Sequence, residues 1–237
     1  VRKAVGGMVN VALFSGGKDS MYSIMKAKEL GVDVDTLLFV KLSLQQPSPH
    51  ELNIHAVRIL AEDLGLPLEV VELKGSHKDE ALAEKLKELK AEALIAGDAS
   101  LEDHLEWHER VCRRAGVDLL EPLFKRPAKP LLKEMVESGV RFTVIAVRST
   151  PRADLLGVEV SKKNVGWFIE VCEEEGWDPL GEQGEYHTLI NASPMLRSSY
   201  KYVVVEVVDR GAYGCTALLN VLRSNPPAPR EWRGWQP

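Results

Sequence analysis

Val9-Asn10-Val11-Ala12-Leu13-Phe14-Ser15-Gly16-Gly17-Lys18-Asp19-Ser20 is an apolar strand that runs into a polar loop turned by two glycines. Met21, Ile24 and Met25 then recur at helical spacing as far as Gly31, a C-terminal cap, so the loop opens a helix. A strand, a tight loop and a helix start gather backbone N–H groups and the positive end of a helix dipole around one point, which suits an anion such as pyrophosphate. Glycine allows the tight turn, and Ser15, Lys18 and Ser20 add hydroxyl and ammonium donors. Asp19, when ionised, cannot donate; it reads as a ligand for Mg²⁺ or as a tie between loop and helix start. A Walker loop needs G-x-x-x-x-G-K-[ST], a spacing absent from this chain, so cleavage of a terminal phosphate is not indicated.

Ser15 to Ser20 resembles the S-G-G-x-D-S loop (PP-loop) of the ATP pyrophosphatases. That resemblance implies ATP as co-substrate, adenylation of a substrate oxygen and release of pyrophosphate. The residue types agree with it: attack on the α-phosphorus drives negative charge onto the departing β,γ unit, where fixed donors lower the barrier.

The chain has 237 residues, is 45% hydrophobic and 27% charged, and carries a formal charge of −5. This suits a globular protein with one large core or a main domain and a companion. The negative balance argues against a nucleic-acid coat. No apolar run reaches the roughly 20 residues that span a bilayer, and no signal-peptide core opens the chain, so no membrane partner and a cytoplasmic place are expected. Cys112, Cys172 and Cys215 are far apart and lack C-x-x-C spacing, which predicts ordinary thiols.

Strand and helix alternate along the first half. Strands are expected at Asp35–Leu42, Leu68–Leu73, Ala93–Gly97 and Asp118–Leu120, with helices at Glu51–Leu64, around Leu82 to Leu89 behind a Ser76–Asp79 capping pair, and at Leu101–Ala115. Wholly apolar strands imply a parallel sheet buried on both faces, hence a doubly wound α/β unit of the Rossmann-like kind, with ligands beyond the carboxyl ends of its strands. After Pro122, Pro127 and Pro130 the texture changes, with helices at Leu131–Ser138 and Lys162–Glu175 and strands at Val140–Val147 and Tyr202–Val208. The expected organisation is a nucleotide-binding domain over residues 1–124 and a smaller α+β substrate domain over residues 125–237. The tail Asn225–Pro237 reads as an extended arm whose Trp232 and Trp235 dock on the body or on a partner subunit, as in a homodimer.

Two polar clusters follow. Gly97 to Arg110 sets Asp98 directly after an apolar strand, placed to order Mg²⁺ or meet a cationic substrate, whereas Glu102, Glu106 and Glu109 suit a solvated helix face equally well. His104 and His108 stand four apart, but Leu105 occupies the place of the glutamate of H-E-x-x-H, so a metalloprotease is not indicated; His104 reads as substrate-facing or solvated. Gly181-Glu182-Gln183-Gly184-Glu185-Tyr186-His187-Thr188 offers two carboxylates and an imidazole between glycines, enough to position an amine or serve as base; a plain surface turn would share that composition.

Together, Ser15–Ser20, Pro49-His50-Glu51-Leu52-Asn53-Ile54-His55, Gly97–Arg110 with Glu121-Pro122-Leu123-Phe124, and Gly181–Thr188 resemble successive blocks of the diphthine–ammonia ligase family of ATP pyrophosphatases. The resemblance covers roughly residues 8 to 208 and implies a HUP-type nucleotide domain under a C-terminal domain that closes over substrate. It also implies amidation of the carboxylate of diphthine, the modified histidine of translation elongation factor 2, by ammonium and ATP through an acyl-adenylate. In that scheme Ser15, Gly16, Gly17, Lys18, Asp19 and Ser20 bind the pyrophosphate end of ATP, and backbone near Leu38 to Lys41 grips adenine. Asp98, His104, Glu182 and Glu185 hold ammonium or the diphthine cation, and His187 accepts a proton. Lys18, Asp19, Glu185 and His187 form the expected catalytic set.

Two departures fall on the acceptor side. The last loop of the diphthamide enzymes usually reads E-G-G-E-Y-E-T, whereas Gln183 and His187 stand here, and Leu101 to His104 does not match their S-x-Y-Q segment. Relatives with another small carboxylate as acceptor, such as a corrinoid salvage intermediate, share both changes. A non-catalytic adenine-nucleotide-binding protein is the remaining alternative.

Overall fold

The computed structural model describes residues 8–43, 46–148 and 150–224, and the tail carrying Trp232 and Trp235 lies outside the described residues. The first half comprises β1 (Val9–Leu13), α1 (Lys18–Glu29), β2 (Thr36–Leu42), α2 (Pro49–Leu52), α3 (Ile54–Leu64), β3 (Leu68–Leu73), α4 (Lys78–Glu88), β4 (Ala91–Ile95), α5 (Glu102–Ala115) and β5 (Asp118–Leu120). Its strands form one wholly parallel sheet in the order β3-β2-β1-β4-β5. Alternate residues face opposite layers, as strand geometry requires. Val11, Leu38 and Leu94 pack with Leu82, Leu86, Val111 and Cys112 of α4 and α5. Ala12, Leu37, Phe39 and Ile95 pack on the other side with α1 and α3. The doubly wound α/β expectation is therefore met.

The second half holds α6 (Ala128–Glu137), β6 (Arg141–Val147), β7 (Glu159–Val160), α7 (Val165–Glu174), β8 (Tyr186–Ala192), β9 (Ser199–Asp209) and β10 (Cys215–Ser224). Here β6 is antiparallel to β7, β8 and β10, and β10 pairs β9. The apolar layer over α1 and α3 continues without a break into β6, β8 and α7, so both sheets share one core. Cys112, Cys172 and Cys215 are all buried and free. Among the described residues no helix is long and apolar enough to cross a membrane.

Three expectations are corrected. The helix read as continuous from Glu51 to Leu64 is broken at Asn53. Asn53 is fully buried, and its amide donates to the carbonyls of Pro49 and Ala217 (3.0 and 2.9 Å) and accepts from the Leu219 N–H at 3.1 Å. Periodicity alone reads through such a residue, because two of its three partners lie some 165 residues away in β10. The Ser76–Asp79 capping pair does not form: α4 has no side-chain cap, and Asp79 instead accepts from Trp107 Nε1 at 2.7 Å. The segment Gly181–Thr188, read as a loop, becomes strand β8 from Tyr186 onward, and β10 carried no clear alternation by which to find it.

Asn53→Ala leaves three buried backbone partners unpaired, and a loss of about 3 kcal/mol is expected from the usual cost of orphaned polar groups, measured by urea unfolding.

Candidate functional site

Strand order reverses between β1 and β4, and in open α/β sheets the ligand crevice opens there, beyond the carboxyl ends. Two glycines shape it. Gly16 holds φ +78°, and a Cβ on it would come within 3.0 Å of Leu189 Cδ2. A Cβ on Gly97 would lie 2.9 Å from the Asp19 backbone, so only glycine lets the end of β4 close onto the loop after β1. The resulting cleft has a volume of about 700 Å³ and is lined from both halves of the chain.

The loop is held from outside itself. Thr188 Oγ1 of β8 accepts the Lys18 N–H at 3.1 Å, and the Gly16 carbonyl accepts the Ile190 N–H at 2.9 Å. Ser15 Oγ accepts the Gly17 N–H at 3.3 Å, and Ser20 Oγ donates to the Gly17 carbonyl at 3.0 Å. Among the described residues no other residue accepts the N–H groups of Asp19 and Ser20, in the first turn of α1. Amides in a helix first turn, aligned with the helix dipole, have the geometry that suits an anion.

Lys18 departs from expectation. Its side chain is 2% exposed, and its ammonium is held by Asp19 Oδ2 at 2.8 Å and by the Leu180 carbonyl, beside the rings of Tyr186 and Phe142. An ammonium so engaged joins the loop to the segment before β8 and is not a free phosphate donor. Burial raises the Asp19 carboxyl above its ordinary range against the pull of Lys18. Asp19 Oδ1 is buried with no hydrogen-bond partner among the described residues.

The same cleft is also lined by Asp98, His104, Glu182 and His187. Glu182 Oε2 accepts the N–H groups of Ala99 and Ser100 (2.9 and 3.1 Å), latching the glycine-spaced loop onto the β4–α5 connection. Burial, then the charge of Asp19, pushes the Glu182 carboxyl up to about 7. His104 Nδ1 lies 2.7 Å from Asp98 Oδ1. Burial works to raise the Asp98 carboxyl, but the hydrogen bond from His104 and the nearby imidazoles outweigh it and hold it low.

Glu185 is not brought to the cleft. It is 2% exposed, and its two oxygens accept the N–H groups of Asp178 and Gln183 (3.3 and 2.9 Å), so it braces the loop from behind. Glu106 reaches the cleft, whereas Glu102 and Glu109 are exposed outside it.

Two residues in the cleft had no assigned role. His50 of α2 meets His187 edge to face at 5.4 Å, and its Nδ1 has no partner among the described residues. Thr188 supports the loop. Both sit inside blocks that resemble the family, Pro49–His55 and Gly181–Thr188, which is the signal that marks them.

Residues 8–119 match the diphthamide synthase N-terminal domain, and residues 127–218 match the diphthamide synthase C-terminal domain. Diphthine–ammonia ligases of Bos taurus and Homo sapiens are each 28% identical over 234 residues, covering 85% of this chain and 85% of theirs. That of Danio rerio is 28% identical over 230 residues, covering 84% of this chain and 87% of its own. A solved chain from Methanocaldococcus jannaschii, described as a predicted subunit of tRNA methyltransferase, superposes with a TM-score of 0.42 at 18% identity, covering 79% of this chain and 100% of that one. With both domain models matched in order along nearly the whole described chain, the protein belongs to the diphthamide synthase family.

Proposed function

We propose that this protein is an AMP-forming ligase that adenylates a carboxylate with ATP and passes the acyl group to ammonia, with diphthine on translation elongation factor 2 as acceptor. The observation that carries this reading is the pair of first-turn amides, Asp19 and Ser20, accepted by no other described residue, in one cleft that Asp98, His104, Glu182 and His187 also line. The β- and γ-phosphates sit at those amides. The acceptor carboxylate attacks the α-phosphorus, the bond to the β,γ unit breaks, and the charge of the leaving pyrophosphate grows against donors already in place. Mg²⁺ suits the residues present, because the buried, unpartnered Asp19 Oδ1 is an oxygen ligand without another role. Bound there, the ion would neutralise phosphate charge. Lys18 positions Asp19 for this task through their 2.8 Å contact.

Ammonia then attacks the acyl carbon, the bond to AMP breaks, and the nitrogen gives up a proton. His187 takes it. Burial first, and the charge of Lys18 second, lower its pKa to about 4, so the ring is unprotonated at neutral pH. Burial and the neighbouring His187 lower His50 to about 3, so the two rings sit together without charge. Glu182, lining the same cleft, attracts the ammonium ion when ionised. A second reading, with another small carboxylate as acceptor, is favoured by one observation: of the departures from the family pattern, at Gln183, His187 and Leu101 to His104, three residues, Asp103, His104 and His187, line this cleft.

With ATP, Mg²⁺, ammonium and diphthine-bearing elongation factor, release of AMP and pyrophosphate is expected, and ADP would overturn the reaction type. AMP release only with small carboxylic acids would select the second reading. Asp19→Asn is expected to reduce turnover at least 100-fold, on the order of the loss of a transition-state contact. Glu182→Gln and His187→Gln keep ATP affinity and raise the ammonium KM or lower kcat about tenfold or more, followed by AMP release.

The two histidines also set a stability profile. Their folded pKa values lie below that of an unfolded histidine, so protons bind the unfolded chain first. Their contribution is intact above about pH 6.5 and falls as pH drops towards 4 and 3. Between pH 7.5 and 4.5 the double variant His50→Gln/His187→Gln should lose less stability than wild type, by on the order of 5 kcal/mol in urea unfolding, roughly half from each ring.

A further inference from the structure

Behind the His104 side of the cleft, three side chains converge from neighbouring elements at the carboxyl edge of the parallel sheet: Asp98 after β4, His108 on α5 and Glu121 after β5. His108 Nδ1 lies 2.6 Å from Glu121 Oε1 and 3.7 Å from Asp98 Oδ2. One ligand atom from each of the three residues falls within 4.8 Å of the others. The side chains of His108 and Glu121 are only 3% and 4% exposed.

Hydrogen bonding within the group does not satisfy it. A single imidazole N–H can serve one carboxylate, and 3.7 Å is too long for a bond to the second. Glu121 Oε2 is buried and has no partner at all among the described residues. An enclosed carboxylate with an unengaged oxygen is costly unless a cation meets it. Asp98 is already oriented on its far oxygen by His104 at 2.7 Å, the kind of supporting bond that ligating carboxylates have.

We propose that Asp98, His108 and Glu121 bind a divalent transition-metal ion of the zinc class, at a site separate from the Mg²⁺ ligand Asp19. One imidazole nitrogen with two carboxylates favours such an ion over Mg²⁺ or Ca²⁺, which take sets of oxygen ligands. The ion balances two carboxylates held close together, and it sits in the wall of the cleft, because Asp98 lines that wall. This site does not depend on which acid the enzyme amidates.

The test is Zn²⁺ titration of the full chain after dialysis against EDTA, with Co²⁺ absorption as a second probe and Tm measured with and without Zn²⁺. One Zn²⁺ per chain is expected, with a rise in Tm on loading. Glu121→Gln, which preserves shape, should weaken Zn²⁺ binding roughly 100-fold or more, at least the upper end of what loss of a supporting partner costs. His108→Ala should abolish binding; if that variant does not fold, Glu121→Gln decides. Asp19→Asn and Cys112→Ser should bind as wild type, separating the site from the nucleotide loop and from the buried thiol of α5. No stoichiometric Zn²⁺ in the wild type, unchanged binding in Glu121→Gln, or loss of binding in Asp19→Asn or Cys112→Ser would each overturn the proposal.

Discussion

The contact on which the rest depends is the docking of β8 against the loop after β1. Thr188 Oγ1 takes the Lys18 N–H, and the Ile190 N–H is taken by the Gly16 carbonyl, so a turn of six residues in one sheet is shaped by a strand from the other. An anion cradle works only if its amides are already aimed when charge develops. Here the aim comes from a bond spanning 170 residues. Lys18 adds a second link, through its buried ammonium to the Leu180 carbonyl.

The same logic recurs away from the cleft. Asn53 ties the break between α2 and α3 to β10, and buried Asp63 accepts from Ser198 N–H at 2.9 Å and from Arg223 at 2.9 Å, tying α3 to the β9–β10 ribbon. These polar joints lie around a continuous apolar layer, which supplies the adhesion while they set the register. Movement of the second sheet would therefore move the loop as well, and the two walls of the cleft are geometrically coupled.

Division of labour among the acidic residues follows from burial. Glu182 and Glu185 stand three apart in one glycine-spaced loop, yet one faces the cleft and the other braces the loop from behind. Glu182 carries its proton to higher pH because enclosure and the neighbouring Asp19 charge disfavour its ionised form. Asp98, comparably enclosed, stays ionised because His104 and His108 face it. Carboxylates of similar intrinsic acidity thus acquire different states from their surroundings.

Hydrophobic period, glycine spacing and the S-G-G-x-D-S pattern are local properties, and they sufficed for the parallel sheet and the glycine turn between β1 and α1, whereas it was the family resemblance that grouped Asp98, His104, Glu182 and His187, which line one cleft. Pairing across the chain is not local. That the Lys18 ammonium is buried against the Leu180 carbonyl, that Glu185 is a brace, that His50 joins His187 and that Glu121 lies beside His108 each depend on which strands become neighbours. A side chain's partner is set by the packing of both sheets on their common core, and no spacing within one segment encodes it.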